Sequence, residues 1–217
     1  MILNVFHGSN IAIPKPNLHA GRKDIDFGQG FYTTEDYDMA CKWASRKKNP
    51  TISKYELDLS GLNVAKLELN EEWVDFVATN RGYLDNSYNL NNIDIIIGPT
   101  ADDKLYGTLE NYFSGMLSLE DTIKCLNIMA FSNQVVFKSE KAIEQLKFIK
   151  PIVLQPKDVD YYNELAKKDR QIAMKQMQDY LHIKNQCNEK KPETKTFSNI
   201  ETVPINIEDR EGDSYER

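Results

Sequence analysis

Two aromatic rings and two glycines lie close together in residues 26–43, and this segment carries the strongest chemical signal of the chain. Gly28 and Gly30 have no Cβ atom, so the backbone can turn there or approach another group closely. Tyr32 follows in an extended run, and Trp43 lies on the helix predicted after it. Two such rings could hold a planar heteroaromatic ligand between them, because offset stacking contributes about 0.5–1.5 kcal/mol per pair.

The same segment also allows a structural interpretation, in which its aromatic residues belong to the hydrophobic core. A helix with Thr34 as its N-cap would bury apolar residues spaced three and four apart, because they share one helix face. These residues are Tyr37, Ala40, Cys41 and Ala44. Trp43 lies at the edge of this stripe, from which its ring could reach a cleft.

Polar residues at the ends of two other predicted strands could complete a site. His7, Gly8 and Ser9 end the first strand, and Asn133 and Gln134 lead into a strand of apolar residues. A histidine alone in such a position is usually a simple strand-end residue. Its place about twenty residues before the glycine and tyrosine segment favours a functional role.

The elements that must position these residues form an α+β pattern in residues 1–156. Predicted strands cover residues 2–6, 31–34, 52–59, 63–67, 93–97, 134–138 and 148–154. Predicted helices begin near residues 34, 71, 101, 118 and 139, and Ser118 with Asp121 resembles a capping box. Residues 52–59 and 63–67 are expected to pair as a hairpin. Asp102 and Asp103 could serve a metal ion or acid–base chemistry, but such acids more often cap the following helix.

The composition changes after Pro156. Residues 157–186 are expected to form a long helical extension, and residues 187–217 a flexible polar tail. One interpretation is a solvated helix with a loose tail. The other is a docking element for a partner, in which residues 203–207 become extended on binding.

Composition excludes several classes of function. The chain has 217 residues, of which 41% are apolar, and this is enough for a hydrophobic core. A net charge of -6 argues against a general binder of nucleic acid or anionic membranes, although a local basic groove remains compatible with it. Three scattered cysteines indicate a reducing compartment and no zinc site. Without a leader or an apolar run of about 20 residues, a soluble cytoplasmic protein is expected.

The order of the three polar and aromatic motifs resembles that of the ADP-ribosyltransferase superfamily. The resemblance is to the branch with a His-Tyr-Glu triad, which includes diphtheria-type toxins and poly(ADP-ribose) polymerases. His7 to Ser9 match its first motif, Gly28 to Tyr32 its second, and Asn133 with Gln134 its third, while Trp43 matches the aromatic on the next helix. The match is closest to small bacterial members of this superfamily, some of which are toxins or phage-defence effectors, and it covers residues 5–140.

This resemblance implies a split β-sandwich with peripheral helices and NAD+ as co-substrate, without a metal ion. His7 would bind the adenosine ribose with help from Ser9, and the backbone of Gly8 would hold the nicotinamide amide. Tyr32 and Trp43 would enclose the nicotinamide ring. The remaining cofactor-binding residues that the resemblance implies are Gly30, Phe31 and Arg22, of which Arg22 is either a pyrophosphate ligand or a solvated loop residue.

Gln134 departs from the family pattern, which has glutamate at this position. Glutamine keeps the hydrogen-bonding reach of glutamate but has no charge and accepts no proton. Elongation of a poly(ADP-ribose) chain is therefore not expected. Two outcomes remain: mono-ADP-ribosyl transfer to an unidentified acceptor, or binding of NAD+ without turnover. Glu140 could replace the carboxylate, although a surface glutamate is the simpler interpretation. An antitoxin-like protein partner is compatible with this resemblance but is not revealed by the sequence. A third hypothesis is an interaction module that uses the C-terminal helix.

Overall fold

The computed structural model describes residues 1–85, 88, 90, 92–100, 107–129 and 132–189. The chain divides into two compact units, Met1–Tyr180 and Leu181–Arg217. The strands are β1 (Ile2–Ser9), β2 (Phe31–Thr33), β3 (Thr51–Asp58), β4 (Val64–Lys66), β5 (Ile95–Pro99), β6 (Asn133–Phe137) and β7 (Leu146–Val153). The helices are α1 (Tyr37–Ser45), α2 (Glu71–Asn80), α3 (Thr108–Phe113), α4 (Leu119–Met129), α5 (Glu140–Glu144) and α6 (Pro156–Glu189). The predicted α+β class is confirmed.

The strands form two sheets. One has the order β1-β3-β7, and the other has the order β2-β6-β5-β4. Neighbouring strands are antiparallel except β4 and β5, which are parallel. The sheets meet where Phe6 of β1 and Thr34 after β2 exchange backbone hydrogen bonds of 2.8 and 3.0 Å. This contact brings the ends of β1 and β2, and the residues that follow them, close together.

The predicted hairpin between residues 52–59 and 63–67 is wrong. β3 pairs with β1 and β7, whereas β4 lies in the other sheet beside β5. The start of β4 is held there by Asp94, whose carboxylate accepts a hydrogen bond from the Asn63 backbone at 2.9 Å. Pairing of β4 therefore depends on a residue far along the chain, and a local turn signal does not reveal it.

The first helix begins two residues later than predicted. Its N-cap is Asp36, whose carboxylate accepts a hydrogen bond from the Met39 backbone at 3.1 Å. Thr34 is buried, and its hydroxyl donates to the Asn133 carbonyl at 2.9 Å, so this side chain joins β2 to β6. The predicted apolar stripe is largely confirmed, because Ala40, Cys41 and Ala44 are completely buried.

The predicted long C-terminal helix is confirmed as α6. Within the first unit, Ala166 and Ala173 of this helix are buried. Lys42 contacts Asp169 at 2.7 Å, and the Tyr180 hydroxyl donates to Asp121 at 2.6 Å. The predicted boundary at residue 156 stays a prediction. Asp102, Asp103, residues 203–207 and most of the predicted polar tail lie outside the described residues.

Candidate functional site

A cavity of about 380 Å³ lies where the ends of β1 and β2 meet α1. This volume is within the range of about 300–1,000 Å³ that is usual for small-molecule sites. Residues from separate parts of the chain line it, among them the predicted His7, Gly8, Arg22, Tyr32, Trp43 and Gln134. The fold thus brings six of the nine predicted site residues to one place.

The imidazole of His7 is fixed in one tautomer. Its Nδ1 lies 2.6 Å from the carbonyl oxygen of Tyr32, which can only accept, so Nδ1 carries the proton. The Nε2 atom is therefore the acceptor nitrogen. Burial lowers the pKa of His7, and the positive charge of Lys47 lowers it further. At neutral pH the ring is uncharged and can accept a hydrogen bond from a hydroxyl group.

The glycine after this histidine is required by helix packing. A Cβ atom on Gly8 would lie 2.2 Å from the Ala40 carbonyl oxygen and 2.9 Å from the Ala44 nitrogen, so α1 could not pack against β1. The backbone groups of Gly8 point the same way as those of Phe6, because they alternate along a strand. Phe6 bonds across to Thr34, so the N–H and C=O of Gly8 face the edge of β1 that borders the cavity.

The ring of Tyr32 is held by hydrogen bonds of its hydroxyl. This group donates to the Gly28 carbonyl at 2.7 Å and accepts from the Phe27 nitrogen at 3.1 Å. Gly28 has a φ of +69°, a conformation that glycine adopts without strain. Lys138 also donates to the carbonyls of Phe27 and Gln29, at 2.7 and 2.6 Å. Burial raises the pKa of Tyr32, so its phenol stays neutral and its ring acts as a fixed wall.

Gln134 contacts a carboxylate that sequence reasoning did not assign. Its Nε2 donates to Asp26 Oδ2 at 2.8 Å, and Gln134 is only 5% exposed. Arg81 binds the other oxygen, Asp26 Oδ1, through Nη2 at 2.6 Å and Nε at 3.1 Å. Asp26 stands two residues before Gly28 and offered a weak signal. Arg81, after the end of α2, offered none.

The cavity carries an excess of positive charge. Its described lining includes four cationic residues, Arg22, Arg46, Lys47 and Arg81, and one carboxylate, that of Asp26. The whole chain has a net charge of -6, so this region is opposite in sign to the average surface. Clefts lined by one sign of charge attract ligands of the other sign. The cavity is therefore suited to an anionic ligand.

Three predicted site residues lie outside this lining. The Ser9 hydroxyl is exposed and donates to the Ile11 carbonyl at 2.6 Å. A Cβ on Gly30 would lie 2.5 Å from the Phe137 carbonyl, so this glycine permits contact with β6. Phe31 is buried in the core and supports His7, with ring centroids 4.7 Å apart. Glu140, the candidate substitute carboxylate, lies in the first turn of α5 and does not line the cavity.

A second depression, of about 550 Å³, lies along α6. Its described lining residues all come from this one helix. It therefore does not combine side chains from separate elements as the first cavity does. In the part of the chain that the structure describes, no group of three or more His, Cys, Asp or Glu residues could hold a metal ion. No helix among these residues is long and apolar enough to span a membrane.

Comparison with models of protein families gives a match. The model of a family described as "Protein of unknown function (DUF3990)" matches residues 3–148, which is more than half of the chain. This range includes every residue that has been placed in the cavity. No curated protein and no solved structure matches the chain.

Proposed function

We propose that this chain, which belongs to the DUF3990 family, is an NAD+-dependent mono-ADP-ribosyltransferase. One observation carries the proposal: His7, Tyr32, Trp43 and Gln134, which lie on separate elements, line a single cavity. These are the positions at which the sequence resembles the His-Tyr-Glu ADP-ribosyltransferases. A chance resemblance of short motifs would not require the matched side chains to meet.

The contacts of these residues suit the parts of NAD+. The unprotonated Nε2 of His7 can accept a hydrogen bond from a hydroxyl of the adenosine ribose. The N–H and C=O of Gly8 can pair with the nicotinamide amide, as a backbone edge pairs with another amide. Tyr32 and Trp43 offer aromatic faces to the nicotinamide ring. Arg22, Arg46 and Lys47 supply positive charge for the pyrophosphate.

The proposed reaction breaks the bond between nicotinamide and the ribose carbon. Nicotinamide leaves as a neutral molecule with the electron pair of that bond, so departure needs no general acid. The nucleophilic atom of the acceptor forms the new bond to the same carbon and releases its proton. Positive charge develops on the ribose in the transition state, and preorganised dipoles that face it lower the barrier. The carbonyl oxygen of Gln134 is such a dipole.

The fold supports the proposal at a coarser level. Two sheets, of three and four strands, meet at the Phe6 and Thr34 contact beside the cavity. This arrangement is compatible with the split β-sandwich of the superfamily. The bacterial toxin or phage-defence setting, the cytoplasmic location and the antitoxin-like partner rest on the sequence resemblance and stay predictions.

Binding of NAD+ without turnover is the second candidate. It is favoured by the neutral amide of Gln134 and by the pairing of the Asp26 carboxylate with Arg81. Together these leave no unpaired negative charge at the position of the family's glutamate among the contacts described above. Both candidates predict the same ligand and differ only in cleavage.

Transfer of label from NAD+ to a cell lysate tests the function. Wild type should label an acceptor, and His7→Ala and Tyr32→Ala should abolish labelling. Ser9→Ala is the matched control, because Ser9 lies outside the cavity lining and its hydroxyl donates to the Ile11 carbonyl, and it should label normally.

Labelling that survives both His7→Ala and Tyr32→Ala would show that the cavity is not the site. If NAD+ raises the melting temperature but no label is transferred, the second candidate holds. If NAD+ produces neither effect, both candidates are wrong.

A further inference from the structure

We infer that Asp26 is a positioning residue that holds the amide of Gln134 with its carbonyl oxygen towards the ligand. The inference rests on the proposed function, because it assigns a ligand-facing role to Gln134. It follows from the contacts that the Asp26 carboxylate makes with Gln134 and Arg81. Oδ2 accepts from Gln134, and Oδ1 accepts from Arg81.

The hydrogen bond to Asp26 fixes the orientation of the Gln134 amide. A carboxylate can only accept, so the amide atom 2.8 Å from Asp26 Oδ2 must be the nitrogen. The oxygen Oε1 lies on the other side of the amide carbon and therefore points away from Asp26. Gln134 lines the cavity, and the inference assigns this oxygen as the acceptor that the amide offers to the ligand. A flipped amide would bring two acceptors together and would lose the hydrogen bond.

Asp26 is itself held firmly. Its side chain is 13% exposed and that of Arg81 is 9% exposed, and two guanidinium nitrogens contact the same carboxylate oxygen. The Asn80 side chain donates to the Asp26 carbonyl at 3.2 Å. Lys138 holds the next carbonyl, that of Phe27, at 2.7 Å. The carboxylate is thus fixed through both its side chain and its backbone.

The same contact explains why glutamine suits position 134. A glutamate there would place a second carboxylate beside Asp26, and like charges at this distance disfavour joint ionisation. Glutamine avoids this repulsion and gains a charge-assisted hydrogen bond. The bond also polarises the amide, because linked hydrogen bonds strengthen each other at low dielectric, and it increases the negative charge on Oε1. Asp26 thereby acts on the ribose through Gln134.

Exchange of the two functional groups tests this role. The variants are Asp26→Asn, Gln134→Glu and the double variant, which restores an amide-to-carboxylate hydrogen bond with the groups reversed. Asp24→Asn is the matched control, because Asp24 is an exposed acid in the same loop. Each purified full-length protein is assayed for NAD+ affinity by calorimetry, nicotinamide release from NAD+, and melting temperature.

We expect each single variant to lower nicotinamide release at least tenfold, and the double variant to recover it to within about threefold of wild type or above. Recovery should bring a new acidic limb in the pH profile of release, because the carboxyl group introduced at position 134 must ionise in the double variant. A purely structural role would restore the melting temperature without this limb. If wild type binds NAD+ without cleaving it, affinity replaces release as the measure, with the same pattern expected.

Two results contradict the inference while leaving the proposed function intact. One is Asp26→Asn with wild-type release and affinity. The other is a folded double variant that binds NAD+ but is no better than either single variant. Failure of wild type to bind NAD+ overturns the proposed function itself, and it is visible before any variant is compared.

Discussion

Two nearly buried aspartates, Asp26 and Asp94, each meet a cation and a polar side chain, and they lie in different regions of the molecule. Asp26 contacts Arg81 and Gln134 at the cavity. Asp94 precedes β5, and its side chain is 9% exposed. Its carboxylate accepts from the Ser139 hydroxyl, from the Asn63 backbone at 2.9 Å, and from Lys141 at 3.4 Å.

The two clusters differ in what the partners of each aspartate contact in turn. Ser139 is the N-cap of α5 and accepts a hydrogen bond from the Ala142 backbone at 3.1 Å. The Asn63 backbone belongs to the start of β4. Asp94 therefore joins a helix and two strands, whereas Asp26 holds an amide that lines a cavity. Burial and ion pairing occur in both clusters, so they do not by themselves identify a functional carboxylate.

The largest expected effect is on stability, at Asp94. Asp94→Ala should lower the free energy of unfolding by about 3 kcal/mol, because the Asn63 N–H, the Ser139 hydroxyl and Lys141 all lose an acceptor. Urea denaturation measures this loss. Affinity for NAD+ should stay unchanged in the folded fraction, since Asp94 does not line the cavity.

Asp58→Ala is the control for Asp94, since the Asp58 side chain is 51% exposed. It should lower stability far less than Asp94→Ala, because its partners, Ser60 and the N-terminal amine, are exposed and stay solvated. The structural role of the Asp94 cluster is contradicted if Asp94→Ala lowers the free energy of unfolding no more than Asp58→Ala does. The distinction between the two clusters is also contradicted if the folded Asp94→Ala variant loses affinity for NAD+.

The two tryptophans extend the comparison to aromatic residues. Trp43 is half-buried at the cavity, and Trp73 of α2 is completely buried in the core. Trp43→Ala should weaken NAD+ binding about tenfold, or about 1.4 kcal/mol, because one stacking face is lost. Calorimetry measures the affinity of each variant.

Trp73→Phe provides the matched core variant. It should lower stability by about 1–2 kcal/mol through lost packing and leave the affinity unchanged. Fluorescence adds a second readout, since NAD+ should alter the emission of the Trp73→Phe protein but not that of Trp43→Phe. Quenching that persists without Trp43 would place the ligand elsewhere.

Local patterns in the sequence predicted what local forces decide. The predicted capping role of Ser118 is confirmed, because the Asp121 backbone donates to the Ser118 hydroxyl at 3.2 Å. The apolar stripe of α1 followed from periodicity, and the long C-terminal helix followed from composition and an imperfect apolar stripe. Contacts between distant residues were not predictable in this way. β4 takes its place from Asp94, and the hydroxyl of Thr34 bonds to Asn133 instead of capping α1.

The same distinction between local motifs and contacts of distant residues applies to the candidate site. His7, Tyr32, Trp43 and Gln134 were found because short motifs mark them. The Asp26 and Arg81 pair was missed because its members are 55 residues apart and Arg81 stands in no motif. Arg46 and Lys47 were visible as the basic end of the first helix, but only the fold turns this end towards the cavity.

Protonation of His7 is expected to change the affinity for NAD+ several-fold. Burial holds its folded-state pKa below the ordinary value of about 6.5, so the ring is neutral at pH 7. Affinity for NAD+ should be constant from pH 8 to about 6.5 and fall below that, as Nε2 takes a proton and stops accepting. Stability should also decrease as the pH falls below about 6.5, because His7 binds a proton more readily in the unfolded chain than in the folded protein.

Calorimetry across pH tests this expectation with two histidine variants. His7→Gln keeps an acceptor that does not titrate, so the pH profile of affinity should become flat. His19→Gln is the control, because His19 is exposed and lies outside the cavity lining, and its profile should match that of wild type. A wild-type profile in His7→Gln would exclude His7 as the titrating acceptor.

The smallest expected effect concerns the loop that contains Arg22 and Lys23, where two neighbouring cations can be compared directly. Arg22 lines the cavity and Lys23 does not, although both are exposed in the same loop. Arg22→Gln should weaken NAD+ binding about twofold to fivefold at low salt, since exposed ion pairs contribute about 0.2–1 kcal/mol. The difference should shrink at about 0.5 M salt, where screening is strong. Equal losses in Lys23→Gln would show that the loop attracts anions through its overall charge and that Arg22 has no specific contact with the pyrophosphate.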